Sequence, residues 1–279
     1  MTFALDRRTL LALGAGGVLA PFLALGDAAA QQAGDHIANA TRAGFGDIPD
    51  FQVGGAEQIA MLLYPGFTAL DLVGPHYMFA CMMGATVHLV TTERSLRPVA
   101  SDLGLAIAPT TTMRRCPRVL DILFVPGGTF GTIDAMKNGA AIDFVRDRAS
   151  QSRHVTSVCT GSLILGKAGL LAGKRATSHW MTRDVLAEFG AIPVNERVVT
   201  DGNVTTGAGV SAGLDFGLAL LAALRGDNYA RAIQLQAEYA PAPPFNAGST
   251  TTAPDVVTNA MRNLFTPFAA AAREAARSS

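Results

Sequence analysis

The chain has 279 residues, 49% of them apolar, and its 22 basic residues balance its 22 acidic residues. A net charge of zero gives no electrostatic reason to expect a nucleic-acid or anionic-membrane partner. The three cysteines, Cys81, Cys116 and Cys159, are too few and too scattered for a disulfide scaffold or a zinc site. The length allows one large or two small domains with a substantial core.

Residues 1–31 resemble a bacterial twin-arginine (Tat) signal peptide. Arg7 and Arg8 precede a moderately apolar, glycine-rich stretch, and three consecutive alanines at 28–30 provide a small-residue cleavage site. The order of these features favours export to the periplasm, with no membrane contact after the signal is removed. The alternatives are a short hydrophobic anchor or a fortuitous N-terminal helix, and a cytoplasmic location.

The central part of the chain has the pattern of an α/β domain. Residues 32–57 lack a hydrophobic period and carry several glycines, which is typical of a linker. From Gln58 onward, apolar runs of strand length ("IAMLLY", "TVHLVTT", "VLDILFVPGG", "HVTSVC") alternate with segments of helical spacing. Strands that are apolar throughout are typical of a parallel sheet covered on both faces. We therefore predict one doubly wound, mostly parallel sheet over residues 58–240, with helices on both faces.

Asp71 is a candidate proton carrier. It follows the first predicted strand in "YPGFTALDLVGP", among alanine, leucine and valine. A carboxyl group in such apolar surroundings should have a raised pKa and could pass protons. The alternative is a carboxylate that only complements the positive end of a helix dipole.

Cys159 lies in "SVCTGS", between a predicted strand and a predicted helix. This arrangement predicts a nucleophile elbow at the carboxyl end of a strand, where doubly wound sheets gather their active sites. The helix N-terminus should lower the pKa of the thiol. The Thr160 N–H could donate to an oxyanion, and Gly128 in "FVPGG" could supply a second backbone donor. The alternative is that Cys159 only packs, as free cysteines often do.

His179, in "SHW", follows Cys159 at the end of a predicted next strand, where it could orient or ionise the thiol. A structural histidine beside Trp180 is the alternative. Two more helices are predicted over 210–225 and 228–239. Residues 241–279 form a tail with a proline-rich segment and an amphipathic helix over 255–276. The prolines favour an extended path suited to lying across the domain or a dimer partner.

Several motifs together resemble the ThiJ/PfpI superfamily, and within it the isonitrile hydratases, over roughly residues 58–255. They are "PGF…LDLVGP", "FVPGG", "SVCTGS", "ATSHW", "DGNVTTGAGVSAGLDFGLAL" and "QLQAEYAPAPPFNAG". The resemblance implies a flavodoxin-like fold, a homodimer, and a site with no metal or organic cofactor. It also implies Cys159 as nucleophile, Thr160 as its partner and Asp71 as proton carrier, with His179 at a superfamily position near the nucleophile. The implied reaction adds water to an isonitrile, R–N≡C, and gives an N-substituted formamide through a thioimidate on Cys159.

Other functions fit part of the same pattern. Cysteine-dependent relatives with glyoxalase, deglycase or amidase-like activity usually carry Glu at the position of Asp71. Transcription regulators with a similar domain continue into a paired helix-turn-helix, whereas the residues after "PPFNAG" here are Ala-rich with balanced charge. A DNA-binding function is therefore not expected. A non-enzymatic periplasmic ligand- or redox-sensing protein stays open, and it would not require Asp71.

Overall fold

The computed structural model describes residues 48–278. The leader predicted over 1–31 and most of the linker predicted over 32–57 lie outside the described residues. From Gln52 onward the chain forms one compact unit, and its first strand begins at Gln58. Within the described part, no helix combines the length and the apolar character that crossing a membrane requires.

A mixed but mostly parallel sheet forms the centre of this unit. The strands in chain order are β1 (Gln58–Leu63), β2 (Thr86–Thr91), β3 (Val99–Ala100), β4 (Ala106–Ile107), β5 (Thr111–Thr112), β6 (Leu120–Val125), β7 (Ser152–Val158), β8 (Arg175–Ala176), β9 (Ile192–Pro193), β10 (Val198–Asp201) and β11 (Val204–Gly207). Seven of them join in the order β10–β11–β7–β6–β1–β2–β5. Every neighbouring pair in this sheet is parallel except β10 and β11. The apolar runs of the sequence thus form buried, parallel strands, as expected for a sheet with two covered faces.

Helices cover both faces of the sheet. They are α1 (Ala69–Ala80), α2 (Phe130–Lys137), α3 (Gly139–Ala149), α4 (Gly161–Lys167), a 3₁₀ helix (Arg183–Phe189), α5 (Ala212–Arg225), α6 (Asp227–Gln236) and α7 (Asp255–Arg277). One group, α1, α5 and α6, packs together, and a second group contains α2, α3, α4 and α7. Phe79 of α1, Phe124 of β6 and Phe216 of α5 pack their rings with centroids 5.6–6.3 Å apart. The predicted doubly wound α/β fold, of the flavodoxin-like kind, is confirmed.

One predicted strand differs from the structure. The strand expected to carry His179 at its end is the two-residue β8, which stops at Ala176. The strand β8 pairs with β9 in a separate small sheet. In the main sheet, β7 lies between β6 and β11. The expectation that His179 ends a strand is therefore wrong, because Thr177 and Ser178 have already left the strand.

The C-terminal helix packs on the domain, whereas the proline-rich segment before it, residues 241–249, is exposed. In α7, Phe268 is buried against Phe130 with ring centroids 5.8 Å apart. Lys167 of α4 donates to the Ala275 carbonyl at 3.1 Å, and Arg277 pairs with Glu188 at 2.8 Å. The end of the chain is thus held by both apolar and charged contacts.

The parallel order of the strands positions the candidate site. The segments that follow β1, β6 and β7 contain Asp71, Gly128 and Cys159, respectively. Since β1, β6 and β7 are adjacent and parallel, their carboxyl ends meet at the same edge of the sheet.

Candidate active site

Cys159 lies at a sharp turn between β7 and α4. Its φ is +57°, in the left-handed region that non-glycine residues rarely adopt. Its N–H faces the carbonyls of Gly207 and Ala208, at 3.0 and 2.7 Å, which anchor the turn to the end of β11. A Cβ at Gly161 would collide with the Val125 carbonyl, so the next turn of chain requires glycine. These contacts have the form of the predicted nucleophile elbow.

Asp71 lies in the first turn of α1 and is completely buried. Its Oδ2 accepts a 3.0 Å hydrogen bond from the Gly127 N–H. A Cβ at Gly127 would come within 2.6 Å of the same oxygen, so only glycine permits this approach. The Cys159 thiol lies against the carboxyl group but not in a geometry that satisfies Oδ1. Among the described residues Oδ1 has no hydrogen-bond partner, so it retains acceptor capacity for a substrate or water.

Burial raises the pKa of Asp71 to about 7, although the Cys159 thiol and the Gly127 N–H oppose the shift. The raised pKa expected from the apolar sequence around Asp71 is confirmed. A carboxyl group with this pKa exchanges protons readily at neutral pH.

The expectation for the thiol is wrong. Burial and the neighbouring Asp71 carboxyl raise the pKa of Cys159 well above its usual value. The Thr160 N–H and hydroxyl lower the pKa but do not compensate. Cys159 is only 5% exposed, and loss of solvent disfavours the thiolate more than the short helix α4 favours it. The thiol and Asp71 therefore form a coupled pair that shares protons.

Thr160 joins the elbow to the loop after β6. Its hydroxyl accepts from the Gly128 N–H at 2.9 Å and lies 2.7 Å from the Gly128 carbonyl. The Gly128 N–H, predicted as the second backbone donor to an oxyanion, is thus engaged by the Thr160 hydroxyl in this structure. Of the two glycine N–H groups in this loop, the one at Gly127 serves the site, through Asp71.

A hydroxyl network that the sequence motifs did not predict lies beneath Thr160. Thr132 of α2 lies 2.9 Å from the Thr160 hydroxyl and 3.0 Å from the hydroxyl of Tyr64. Tyr64 in turn donates to the Pro126 carbonyl at 2.9 Å. All three side chains are buried. A tyrosine at the end of an otherwise aliphatic strand was the available signal, because a buried phenol requires a hydrogen-bond partner.

His179 is near the site. Within the described part of the chain, it forms no hydrogen bond with the Cys159 thiol. Its ring packs against Trp180 and Phe265, with centroids 5.8 and 6.2 Å away. Burial lowers the pKa of His179 to about 4, so the ring is neutral at pH 7. The residue that reaches the elbow from this segment is Ser178, whose hydroxyl donates to the Cys159 carbonyl at 3.1 Å.

A cavity of about 640 Å³ borders the site. Cys159 and Asp71 do not line the cavity themselves, but residues next to them do. Ser178 and Ala208 are hydrogen-bonded to the backbone of Cys159. Leu70 precedes Asp71 in the chain. His179 and the segment 247–261 close other sides of the cavity. Its volume lies in the usual range for small-molecule sites.

The described residues contain no group of three or more His, Cys, Asp or Glu side chains arranged to hold a metal ion. Cys81, Cys116 and Cys159 are free thiols. The chemistry available to the site from its own side chains is therefore that of a buried thiol, a carboxyl group and a hydroxyl group.

The chain is similar to known proteins over most of its described part. The model of the DJ-1/PfpI family matches residues 57–223. An isonitrile hydratase from Pseudomonas putida is 51% identical over 212 residues, which cover 76% of this chain and 91% of the relative. A ThiJ/PfpI family protein from Pseudomonas syringae has a crystal structure with a TM-score of 0.81 and 54% identity, covering 83% of this chain and 95% of that one. A deglycase from Pyrococcus horikoshii is 28% identical over 138 residues, or 49% of this chain and 81% of the relative.

Proposed function

We propose, from the premise that this chain belongs to the DJ-1/PfpI family, that it is a lyase that hydrates isonitriles to N-substituted formamides. The observation that carries the proposal is the buried Asp71–Cys159 pair, in which a nucleophile and a proton carrier with a pKa of about 7 are in direct contact. The similarity to an isonitrile hydratase supports this reaction over others of the family.

The first step joins sulfur and a proton to the same carbon. In the pair that holds one proton, the thiolate attacks the terminal isonitrile carbon while the Asp71 carboxyl group delivers its proton to that carbon. One C–N π bond becomes a lone pair on nitrogen, and the product is the thioimidate R–N=CH–S–Cys159. The pair and substrate carry one negative charge before and after this step, because the charge passes from the sulfur to the Asp71 carboxylate, so the buried site gains no new charge.

The second step releases the formamide. The Asp71 carboxylate takes a proton from water as the oxygen adds to the thioimidate carbon, and it passes this same proton to the nitrogen, so that Asp71 is a carboxylate again. The adduct R–NH–CH(OH)–S–Cys159 then forms its C=O bond and breaks the C–S bond, returning one proton to the pair. Thr160 stabilises the sulfur through its N–H and hydroxyl, the two groups that lower the pKa of the Cys159 thiol.

The test is turnover of a small isonitrile panel by the purified protein, with the formamide measured by mass spectrometry. Cys159→Ala should abolish turnover, and Asp71→Asn should lower it by about 100-fold or more, the usual contribution of general acid–base catalysis. Asp134→Asn, an exposed carboxylate on α2, is the matched control and should leave the rate unchanged. No formamide from the wild-type protein across the panel, or turnover only of a glycated amine or an α-oxoaldehyde, would overturn the proposal.

The pH profile provides an independent check. The reactive pair carries one proton, so kcat/KM should rise with pH to a plateau above about 7, where the pair loses its first proton. It should fall again only in the strongly alkaline range in which the thiol loses the second proton. The Asp71→Asn variant should lack the rise near pH 7.

A further inference from the structure

The tail of the chain forms a large part of the cavity beside the Asp71–Cys159 pair. Residues 247–251 line it, together with Val257, Thr258 and Met261 on the first turns of α7. Phe265, one turn further along α7, packs on His179. The position of this wall is set by the buried end of the same helix, where Phe268 packs against Phe130. The tail therefore shapes the space that a substrate must occupy.

One side of this cavity is apolar and uncovered. Leu70, Val257 and Met261 line it, and each leaves more than a third of its surface exposed. Trp180 lines the same space. Exposed apolar side chains that converge on a concavity are typical of a ligand site. Cys159 is 5% exposed and does not line the cavity, so the narrow, linear carbon end of an isonitrile suits the approach to the thiol better than its bulkier nitrogen substituent.

The lining of the same cavity also contains a cation without a carboxylate partner among the described residues. Three charged residues line the cavity, and two of them are paired: Glu196 with Arg175 at 2.7 Å, and Arg197 with Asp215 at 2.5 Å. The third, Arg183, is half-buried and donates to the Asn195 amide oxygen at 2.7 Å. Among the described residues no carboxylate forms an ion pair with it.

Arg183 can accept an anionic ligand with little rearrangement. A guanidinium has five N–H donors in a planar fork that matches a carboxylate, and the bond to Asn195 uses only part of this capacity. His179 beside it is neutral at pH 7 and adds no competing charge. The cavity thus combines an apolar wall with one unpaired, partly desolvated cation.

We propose that this cavity receives the nitrogen substituent of the substrate and that Arg183 selects substituents that carry a carboxylate on an apolar body. The inference rests on the proposed hydration of isonitriles and extends it to a substrate class, the isocyano carboxylates. Arg183 acts as a specificity-determining residue that binds the distal end of the substrate and takes no part in the bond-making steps at Cys159.

The experiment compares ω-isocyano carboxylates of increasing chain length with their primary carboxamides, which have the same shape without the charge. For the chain length that fits best, kcat/KM should be about tenfold higher for the carboxylate, the scale of one partly solvated charge-assisted hydrogen bond. Arg183→Gln should remove this preference by lowering only the carboxylate rate, and Arg183→Lys should keep part of it. Arg231→Gln, an exposed arginine on α6 outside the cavity lining, is the control and should change neither rate.

Equal rates for both substrate series, or an unchanged preference in Arg183→Gln, would overturn the inference while leaving the proposed reaction intact. A second measurement separates the two failures: calorimetric binding of an ω-formamido carboxylate and its carboxamide to the wild-type protein. If no isonitrile is turned over, the proposed function fails, yet tighter binding of the carboxylate that depends on Arg183 still supports the cavity assignment. Equal binding of the two ligands, or binding of neither, would overturn that assignment as well.

Discussion

The Asp71–Cys159 pair has energetic consequences that do not depend on the substrate. A buried carboxyl group with a raised pKa is held in its neutral form, and ionising it inside the protein is costly. The same carboxyl group raises the pKa of the thiol, so a change at Asp71 should be visible at Cys159. Two predictions at the scale of single residues use this coupling.

Asp71→Asn should stabilise the protein above pH 7. The pKa of Asp71 rises from 3.8 to about 7 on folding, so the folded state holds the proton more tightly. Below pH 3.8 the Asp71 carboxyl group does not change the free energy of unfolding. Between pH 3.8 and 7 it lowers this free energy progressively. Above pH 7 the loss is constant, at most on the order of 4 kcal/mol. Asparagine preserves an acceptor for the Gly127 N–H without the buried charge. Urea denaturation at pH 5 and pH 8.5 should show a larger gain for the variant at pH 8.5, and an equal gain at both would contradict the raised pKa.

Cys159 should react slowly with iodoacetamide at pH 7, and faster in the Asp71→Asn variant. Burial and the Asp71 carboxyl both raise the pKa of this thiol, and the substitution removes the second cause. Peptide mapping by mass spectrometry would give the alkylation rate of each cysteine. Cys116 is the internal control, because burial is the main cause of its raised pKa and Asp71 is not among the causes. A slower reaction of Cys159 in the variant would show that Asp71 activates the thiol instead.

At the scale of elements, α7 has a buried position and an exposed position one turn apart, and the same substitution should have effects of different size at the two. Phe268 is 4% exposed and packs on α2, whereas Leu264, one turn earlier, is 67% exposed. Phe268→Ala should cost about 3 kcal/mol of unfolding free energy, the lower end for a buried phenylalanine. Leu264→Ala should stay within about 0.5 kcal/mol, as expected for an exposed position. Thermal denaturation of both variants checks this, and equal stabilities would mean that α7 is not docked through Phe268.

At the scale of the whole molecule, we expect a homodimer, as the family resemblance implies. Helix α1 leaves Val73 and Tyr77 exposed four residues apart, on an apolar face that a second copy could cover. Light scattering should give the mass of two chains, and Val73→Glu should give one. Leu235→Glu, at an even more exposed position on α6, is the control and should remain dimeric. A wild-type mass of one chain would refute the dimer.

Export is a second expectation for the whole chain, and the predicted signal lies outside the described residues. Replacing Arg7 and Arg8 with lysine should leave a full-length precursor in the cytoplasm, because the Tat pathway depends on the arginine pair. Fractionation of expressing cells, followed by mass measurement of the N-terminus, would detect this. Unchanged recovery of the mature protein from the periplasm would refute Tat dependence.

The sequence by itself determined the four main parallel strands β1, β2, β6 and β7, their alternation with helices, and the elbow at Cys159. These features depend on local patterns, such as apolar runs of strand length and a small-residue turn at Gly161, and such patterns act within a few residues. The raised pKa of Asp71 was also predictable, since its immediate neighbours are apolar.

Only the tertiary structure decided what surrounds these groups. The pKa of Cys159 rises because the chain buries it against a carboxyl group 88 positions away in sequence, a burial that overrides the local effect of α4. Which glycine of the loop after β6 serves the site, and what Thr160 and His179 contact, depend on segments separated by tens of residues. The cavity wall formed by residues 247–261 was also decided by tertiary structure, because long-range packing brings the end of the chain back to the cavity beside the elbow. Burial and electrostatic coupling are properties of the packed molecule, and no local pattern specifies them.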